Sequence, residues 1–200
     1  MSVQLCLVLL ALSALTAESH HDCSDIIKPV EDRSKVYGKW IYHVGATDSE
    51  YKLKELTKVN SSCIEISPLP GGEEFSLHYG DKMDGKCVYG TVNSTTTGNS
   101  TKLTFSSNSS THEVTGSALV TCPDCLLWSD DAVTEVNGES KRSKSLLLFT
   151  KTGKLDASHL DVFKKQAECL HLLSDFHFPE TTNLCPEEKE AAGDAKTEEQ

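Results

Sequence analysis

The residues of this chain best able to do chemistry are its eight cysteines, which can form crosslinks, bind a metal ion or supply a nucleophile. Cys6 lies in the apolar run from Leu5 to Leu15, which reads as a secretory leader and is too short to span a bilayer. Removal of that leader leaves seven: Cys23, Cys63, Cys87, Cys122, Cys125, Cys169 and Cys185. In an oxidising compartment most of them are expected to pair, and the odd number leaves one free or bonded to another molecule.

The Cys122-Pro-Asp-Cys125 motif admits three interpretations. A zinc site would need a second pair of ligands or a nearby histidine, and the sequence supplies neither beside it. A thioredoxin-like redox site would need a strand that leads into a helix, whereas strand-like sequence flanks this motif on both sides. We therefore predict a disulfide within a turn and keep the metal and redox sites as alternatives.

The positions of four other cysteines along the chain suggest two long-range disulfides. Cys23 precedes the strand-rich region and Cys169 lies on a late helical segment, so a bond between them would join the N-terminal extension to that helix. A Cys87–Cys185 bond would hold the C-terminal segment against the strands. Each would close a loop of roughly a hundred residues or more and add about 4–5 kcal/mol in the loop-entropy model.

These pairings leave Cys63 unpaired, although a bond from Cys63 to Cys122 or Cys125 stays open because a two-residue spacer is tight for a disulfide. A free thiol also keeps catalysis under consideration. No activating residue adjoins it, since its neighbours are Ser62 and Ile64. The sequence contains no Gly-x-Ser-x-Gly, phosphate-binding loop, His-Glu-x-x-His or paired-carboxylate pattern. We therefore predict that the protein is not an enzyme and has no catalytic residues, no metal site and no cofactor.

Charge and composition restrict the partners of the exported chain. The full sequence has a formal net charge of -11, and the leader carries no charge before Glu18, so the exported chain stays close to that value. Such a charge would repel nucleic acid and anionic membranes, so neither is expected as a partner. Cleavage after Ala17 or Ser19 fits the small-x-small rule and places the signal peptide at 1–19. Residues 186–200 are acidic with almost nothing apolar, which predicts a disordered tail. We expect a secreted, extracellular monomer with one domain over 20–185.

Four Asn-x-Ser/Thr acceptor sites lie in the exported part, at Asn60, Asn93, Asn99 and Asn108. Three of them fall within a Ser/Thr-rich stretch, 91–111, whose composition is typical of turns. We predict exposed loops there that carry glycans.

Short segments of alternating apolar and polar residues dominate the middle of the chain and predict β-strands. The candidate strands are 39–44, 62–67, 73–79, 86–92, 102–106, 113–121, 126–129 and 145–150. Turn-forming residues separate them, as at 68–72, 80–85 and 97–100. Eight consecutive strands of this length predict an all-β, eight-stranded antiparallel up-and-down barrel, with a sandwich as the alternative.

Two helical segments complete the predicted secondary structure. Segment 50–59 has apolar residues at helical spacing, and a short helix in this first loop would cover one mouth of the barrel. A C-terminal helix is predicted over 156–172, with Asp156 or Ser158 as its N-cap. Its apolar stripe is expected to pack against the outside of the barrel. The stripe consists of Leu160, Phe163, Ala167 and Leu170.

Several segments together resemble one branch of the lipocalin family. They are Gly38-Lys-Trp-Ile-Tyr42, Glu50-Tyr-Lys-Leu-Lys-Glu55, Lys86-Cys-Val-Tyr-Gly-Thr91, Leu160-Asp-Val-Phe163, Glu168-Cys-Leu170 and Leu184-Cys-Pro186. The resemblance is to the α1-acid glycoprotein (orosomucoid) branch, near apolipoprotein M and the fish proteins that bind tributyltin or the saxitoxin and tetrodotoxin class of toxins. It covers most of the chain after the leader and implies the same two long-range disulfides.

The resemblance also implies a closed barrel end. Gly38 and Trp40 match the family's first-strand motif, in which the Trp plugs the floor and the Gly lets the chain pass close beneath it. The Arg that accompanies this Trp in the family has no match here, and Lys151 is the residue that could cap it by stacking. The second family motif is reduced to Pro123-Asp124-Cys125, so the ligand of the relatives does not carry over.

A barrel of eight strands is wide enough to hold one small ligand. Strand parity predicts that seven side chains face the interior: Tyr42, Phe75, Leu77, Phe105, Leu126, Trp128 and Phe149. His78 and His112 could add polar contacts. We expect a carrier of a small hydrophobic or amphipathic molecule, such as a lipid, steroid, xenobiotic or toxin. The alternatives are a lipocalin-type thiol isomerase that uses Cys63, as the resemblance suggests, and an immune-modulating acute-phase glycoprotein.

Overall fold

A computed structural model describes residues 23–71, 74–98, 100–106, 110–136 and 138–187 of the chain. The predicted signal peptide at 1–19 and most of the predicted acidic tail at 186–200 lie outside the described residues. The described strands are β1 Gly38–Thr47, β2 Val59–Pro68, β3 Phe75–Met83, β4 Lys86–Asn93, β5 Thr95–Thr97, β6 Ser100–Ser106, β7 Ser110–Leu119, β8 Cys125–Val136 and β9 Glu139–Thr150. The helices are α1 Cys23–Ile26, a 3-10 helix Arg33–Val36, α2 Glu50–Leu56 and α3 Ala157–Cys169.

The strands form one antiparallel sheet that curls into a nearly closed barrel. Their order is β4-β3-β2-β1-β9-β8-β7-β6-β5. β4 continues through Ser94 into β5, so the two ends of the sheet meet at this corner. The Ser94 hydroxyl accepts a hydrogen bond from the Phe75 N–H at 2.7 Å, and the Ser94 N–H donates to the Phe75 carbonyl at 2.8 Å, which fixes the corner. The predicted antiparallel barrel is confirmed, with nine strands rather than eight.

The additional strand, β5, falls in the Ser/Thr-rich stretch that was predicted to form loops. Asn60 and Asn93 are exposed, but they lie on β2 and β4 and not on loops. Asn99 and Asn108 lie outside the described residues. The threonines of this stretch are β-branched and favour extended backbone, a preference that a composition count for turns overlooks.

The β8–β9 hairpin is much longer than the predicted strands 126–129 and 145–150. Its pairing runs without a break from Cys125↔Thr150 to Val136↔Glu139, and Gly138 in the turn has a φ of 84°. The alternation of apolar residues ends at Asp130, which is why the sequence pattern stops there. In the structure Asp130 stays on the inward face of the strand, and its side chain is buried.

A bulge at His43 makes β1 contribute to two hydrophobic cores. Before the bulge, Trp40 and Tyr42 belong to the core inside the barrel. After it, Val44 and Ala46 face outward and pack beneath α3.

The helix α3 covers the outside of the barrel, as its apolar stripe predicts. Phe163 and Ala167 are buried in the outer core, and Leu160 and Leu170 pack at its edge. Asp156 occupies the N-cap position, although its side chain makes no capping hydrogen bond. The helix ends at Cys169 rather than 172, because His171 adopts a left-handed φ of 58° that does not continue a helix. Within the described residues, no helix is both long and apolar enough to cross a membrane.

The C-terminal segment 173–183 completes the wall on the mouth side of the barrel. β1 and β2 pair only between Gly38 and Ile41, and the segment lies between them beyond that point. Gly45 and His177 exchange two backbone hydrogen bonds of 2.9 Å, and the Glu180 N–H donates to the Asn60 carbonyl at 2.7 Å. The barrel wall therefore depends on residues that follow α3.

Candidate functional site

The barrel encloses a cavity of about 420 Å³. Its mouth lies where β1 ends and β2 begins, and α2 contributes Lys52, Glu55 and Leu56 to the lining. All seven side chains that strand parity assigned to the interior line this cavity: Tyr42, Phe75, Leu77, Phe105, Leu126, Trp128 and Phe149. The volume falls in the range of small-molecule sites.

The floor of the cavity is apolar and closed. Trp40 is 1% exposed, and its Nε1 donates a hydrogen bond to the Val36 carbonyl at 2.8 Å. The Lys151 Nζ lies 5.2 Å from the centroid of the Trp40 ring, so Lys151 occupies the capping position predicted for it. Gly38 has a φ of 108°, yet a Cβ at this position would meet no atom within 4 Å. The expectation that Gly38 permits a close approach is therefore wrong, since its positive φ is what favours glycine.

Aromatic side chains form the middle of the wall. The rings of Tyr42 and Phe149 are 5.4 Å apart, and those of Tyr79 and Phe105 are 5.9 Å apart. The Tyr42 hydroxyl is buried and has no hydrogen-bond partner among the described residues. A Cβ at Gly45 would collide with that hydroxyl, so the tyrosine needs glycine at this position.

The mouth half of the cavity is polar, and sequence reasoning missed most of it. Asp81 on β3 and Asp130 on β8 line the cavity, together with Ser62 and Ser145. The inward position of Asp130 could have been predicted, because Asp130 continues the alternation of Leu126 and Trp128, which both face the interior. A charged residue on an apolar face is normally taken as the end of the strand pattern.

The two histidines named as candidates lie on opposite sides of the wall. His112 lines the cavity. His78 does not: it borders a groove on the outer surface, and its Nδ1 lies 2.8 Å from the Thr91 Oγ1. Polar contacts from His78 to a ligand in the cavity are therefore excluded by its position.

The partly buried Lys52 contacts His112 at the mouth. The Lys52 Nζ lies 3.2 Å from the His112 Nε2, and the His112 Nδ1 lies 2.6 Å from the Thr134 Oγ1. An ammonium group can only donate, so Nε2 is the acceptor and Nδ1 carries the proton that bonds to Thr134. Burial and the neighbouring Lys52 charge lower the pKa of His112 to about 4, and burial also lowers the pKa of Lys52.

The pKa values of two carboxyl groups that line the cavity are raised. Burial raises the pKa of Asp130 to about 7, although the Lys52 charge offsets part of that shift. Burial also raises the pKa of Asp81, and a hydrogen bond with Ser62 acts against it. These directions follow from moving charged forms out of water. The mouth therefore holds Lys52 and Asp130, whose charges are coupled, and a second carboxyl group, Asp81, whose pKa is raised by its own burial.

Cys63 lies outside the cavity. Its strand neighbours Ser62 and Ile64 line the interior, so the thiol points to the outer groove that also contains Tyr89 and Cys185. Burial raises the pKa of the Cys63 thiol, which lowers its thiolate fraction. A thiol on the outer face cannot attack a molecule inside the barrel, and this geometry contradicts the thiol-isomerase alternative.

The described residues contain three disulfides, with the pairings expected from sequence. Cys23–Cys169 ties the N-terminal segment to α3 with a Cα separation of 5.5 Å, and Cys87–Cys185 ties the C-terminal segment to β4 at 5.7 Å. The third bond joins Cys122 and Cys125 across the turn before β8, so neither sulfur is available as a thiolate ligand for a metal ion, and Cys63 is the free cysteine among the described residues. The turn leads into a strand and not into a helix, which is not the setting of a thioredoxin-like redox site. No three metal-ligating side chains lie together within the described ranges.

Comparison with solved structures identifies the fold. Odorant Binding Protein OBP1 matches with a TM-score of 0.61 and 16% identity over 80% of this chain and 99% of that one. The bovine lipocalin allergen Bos d 2 matches with a TM-score of 0.59 and 18% identity over 78% of this chain and 99% of that one. The siderocalin Ex-FABP matches with a TM-score of 0.56 and 18% identity over 75% of this chain and 97% of that one. The chain has the lipocalin fold. Identities this low establish the fold alone, and neither a family model nor a curated protein sequence matches the chain.

Proposed function

We propose that this protein is a secreted, glycosylated carrier that holds one small, mainly hydrophobic molecule inside the barrel. The observation that carries the proposal is the cavity of about 420 Å³, whose floor and walls are apolar and whose few polar groups gather at one end. Cavities of this kind bind by apolar contact and use a small number of polar groups to fix orientation. The α1-acid glycoprotein branch is the part of the lipocalin family in which we place it, from the sequence resemblance at its strand, helix and cysteine segments.

The walls and the mouth contribute differently to binding. A ligand that buries about 300 Å² of apolar surface against the walls would gain roughly 7 kcal/mol before the costs of association. The polar mouth adds little to that gain, because its groups must give up water or each other to contact a ligand. We therefore expect the walls to set affinity and the mouth to set which end of the ligand faces outward.

The names of two matched structures support the same class of function. One is an odorant binding protein, and the other is a siderocalin described as having dual ligand specificities. Secretion agrees with the three disulfides, which persist in oxidising compartments.

The first test asks what the protein carries. Protein purified from its native fluid would be extracted with organic solvent and the extract analysed by mass spectrometry, and we expect a stoichiometric lipid, steroid, xenobiotic or toxin. Absence of such a compound, together with no saturable binding of steroids, retinoids, sphingolipids, organotins and guanidinium toxins, would overturn the carrier function.

The second test locates the site with the neutral dye N-phenyl-1-naphthylamine. Dye binding should quench tryptophan fluorescence, and Trp128→Ala should weaken binding at least about tenfold while the far-UV spectrum stays unchanged. Cys63→Ser is the matched control, because Cys63 lies on the outer face of the same wall. Equal affinity in Trp128→Ala would remove Trp128 from the site, and weaker binding in Cys63→Ser would place the dye outside the cavity.

A further inference from the structure

The groove on the outer surface brings the free thiol of Cys63 close to one end of a disulfide. Cys63 and Cys185 both line this groove, which has a volume of about 330 Å³. Cys185 is bonded to Cys87 on β4. The fold therefore gathers three cysteine sulfurs on one outer face of the barrel, across the neighbouring strands β2, β3 and β4. Ligand binding in the barrel cavity uses none of these groups.

Strand register sets the position of Cys63 relative to Cys185. Cys63 on β2 is paired with Gly80 on β3. A Cβ at Gly80 would lie 3.6 Å from the Cβ of Cys185, so Cys185 sits over Gly80 on the outer face of β3. Cβ positions of directly paired residues on neighbouring strands are about 4.5–5.5 Å apart. Cys63 is therefore the adjacent side chain on the β2 side, and Gly80 contributes no side chain that separates the two cysteines.

Cys87 lies on the other side of Cys185. It is paired with Lys82, the next outward position after Gly80 on β3, and it therefore has the same outward orientation. β2 and β4 flank β3 on its two sides. In thiol–disulfide exchange the attacking and leaving sulfurs stand on opposite sides of the sulfur that is attacked. A thiol on β2, a bonded sulfur over β3 and a leaving sulfur on β4 meet that requirement.

We propose that Cys63 exchanges with the Cys87–Cys185 disulfide and moves the anchor of the C-terminal segment from β4 to β2. The Cys63 thiolate attacks the Sγ of Cys185, the Cys63–Cys185 bond forms and the Cys87–Cys185 bond breaks. Cys87 leaves as a thiolate and takes up a proton in place of the one that Cys63 released. The step is neutral in electrons and needs no external oxidant or reductant. It goes beyond the carrier function, because the three cysteines lie outside the ligand cavity.

The exchange changes how the C-terminal segment holds the barrel. The Cys87–Cys185 bond and a 2.8 Å hydrogen bond from the Tyr89 hydroxyl to the Pro186 carbonyl join this segment to β4. β4 forms one end of the sheet and contributes Val88 to the lining of the cavity. Exchange removes the covalent link to this strand and leaves the hydrogen bond, so an edge of the cavity is held less firmly.

The charged groups around Cys63 govern the rate of the exchange. Burial raises the pKa of the Cys63 thiol, and the nearby Lys39 ammonium acts against that shift. The carboxylates of Glu65 and Glu187 act in the same direction as burial. Because the thiolate is the attacking species, the exchange is slow at neutral pH and accelerates as the pH rises. The other titratable side chains that border the groove are His78 and Tyr89.

The decisive measurement traps the leaving thiol in the full, disulfide-bonded chain without any reductant. Native protein is incubated with iodoacetamide at pH 8, quenched with acid, digested with pepsin and mapped by mass spectrometry, because acid prevents later disulfide scrambling. We expect a fraction of molecules with alkylated Cys87 and a Cys63–Cys185 bond. This fraction should form about tenfold more slowly at pH 7, because the thiolate fraction falls about tenfold per pH unit below the pKa. The other two disulfides are internal controls and should stay intact.

Cys63→Ser is the matched control, because it removes the attacking thiol and leaves the disulfide in place. This variant should give no alkylated Cys87 under the same conditions. The proposal is overturned if the native protein gives alkylated Cys63 alone, or if alkylated Cys87 appears to the same extent in Cys63→Ser.

A second variant tests whether the two sulfurs can reach each other. Cys87→Ala leaves Cys63 and Cys185 as neighbouring thiols, and oxidised dithiothreitol, which accepts two electrons and two protons from them, should close a Cys63–Cys185 bond within one chain. Tryptophan fluorescence establishes that the variant is folded. If the folded variant keeps both thiols, or if Cys185 bonds only to another chain, Cys63 is out of reach and the proposal fails. If the variant does not fold, the trapping experiment on the native protein decides alone.

Discussion

The floor and the mouth of the barrel are built from the same strands but differ in polarity. On β8, Leu126 and Trp128 face the apolar part of the cavity, and Asp130, the next inward residue, faces the polar part. The floor is closed by a buried tryptophan with a satisfied indole N–H. The mouth is bordered by a short helix and by charges whose states depend on pH. Apolar packing therefore dominates at the floor, and titratable polar groups gather at the mouth.

This difference follows from what burial does to each kind of group. An apolar side chain at the floor gains free energy by leaving water, and close packing adds to the gain. A carboxyl or ammonium group at the mouth loses free energy by leaving water and recovers it only through partners. A small change in protonation can therefore rearrange the mouth, whereas the floor responds only to a change in packing.

The largest effect is expected at Trp40. Trp40→Ala removes the floor and leaves a cavity beneath the apolar core, which should lower the free energy of unfolding by about 3–5 kcal/mol in urea titrations. Trp128→Ala is the matched control, because Trp128 is only partly buried and should cost much less stability while it weakens dye binding. Equal losses of stability in the two variants would contradict the division into a stabilising floor and a binding wall.

The floor residue Trp40 was predicted from the resemblance to the family's first-strand motif, whereas the apolar wall of the cavity was predictable because its residues obey one simple pattern. Phe75, Leu126 and Phe149 sit at alternating positions in short apolar runs, and such runs identify both the strand and its buried face. The cysteine pairs were predictable from their position relative to the strands and the helix.

Three other features could not be predicted from sequence, because they depend on contacts between distant segments. The bulge at His43, which turns Val44 outward, is set by pairing with β9. The insertion of segment 173–183 beside Gly45 has no periodicity that would reveal it. Asp130 was missed because a charge on an inward face becomes interpretable only when Lys52, 78 positions away in sequence, is seen beside it.

The second effect concerns the pH dependence of stability and is expected at Asp130. The folded pKa of Asp130, about 7, lies above its unfolded value of 3.8, so the free energy of unfolding rises as the pH falls from 7 towards 4. His112 has the opposite sign, because its folded pKa of about 4 lies below the ordinary 6.5 and the unfolded state binds the proton more strongly. In the native protein these two contributions partly cancel between about pH 6.5 and 4.

Asp130→Asn removes the contribution of Asp130 to the pH dependence of stability and leaves that of His112. The variant should be more stable than the native protein at pH 8, and relative to the native protein it should lose roughly 2 kcal/mol between pH 7 and 5. Urea unfolding at each pH measures the difference, and Asp131→Asn, at an exposed neighbouring position, should follow the native protein. If the Asp130→Asn and native curves run parallel from pH 8 to 5, the carboxyl group of Asp130 is not buried as the structure shows.

The smallest effect is expected at Tyr42, where the apolar and polar parts of the cavity meet. Its hydroxyl is buried and has no partner among the described residues, and burial raises its pKa, so the group stays neutral and unsatisfied. Tyr42→Phe should therefore raise the free energy of unfolding by about 1 kcal/mol, because it removes the desolvation penalty of an unpaired hydroxyl. Tyr79→Phe, with a less buried ring in the same cavity, should leave stability unchanged. A loss of stability in Tyr42→Phe would show that the hydroxyl has a bound partner and that the polar half of the cavity extends below the mouth.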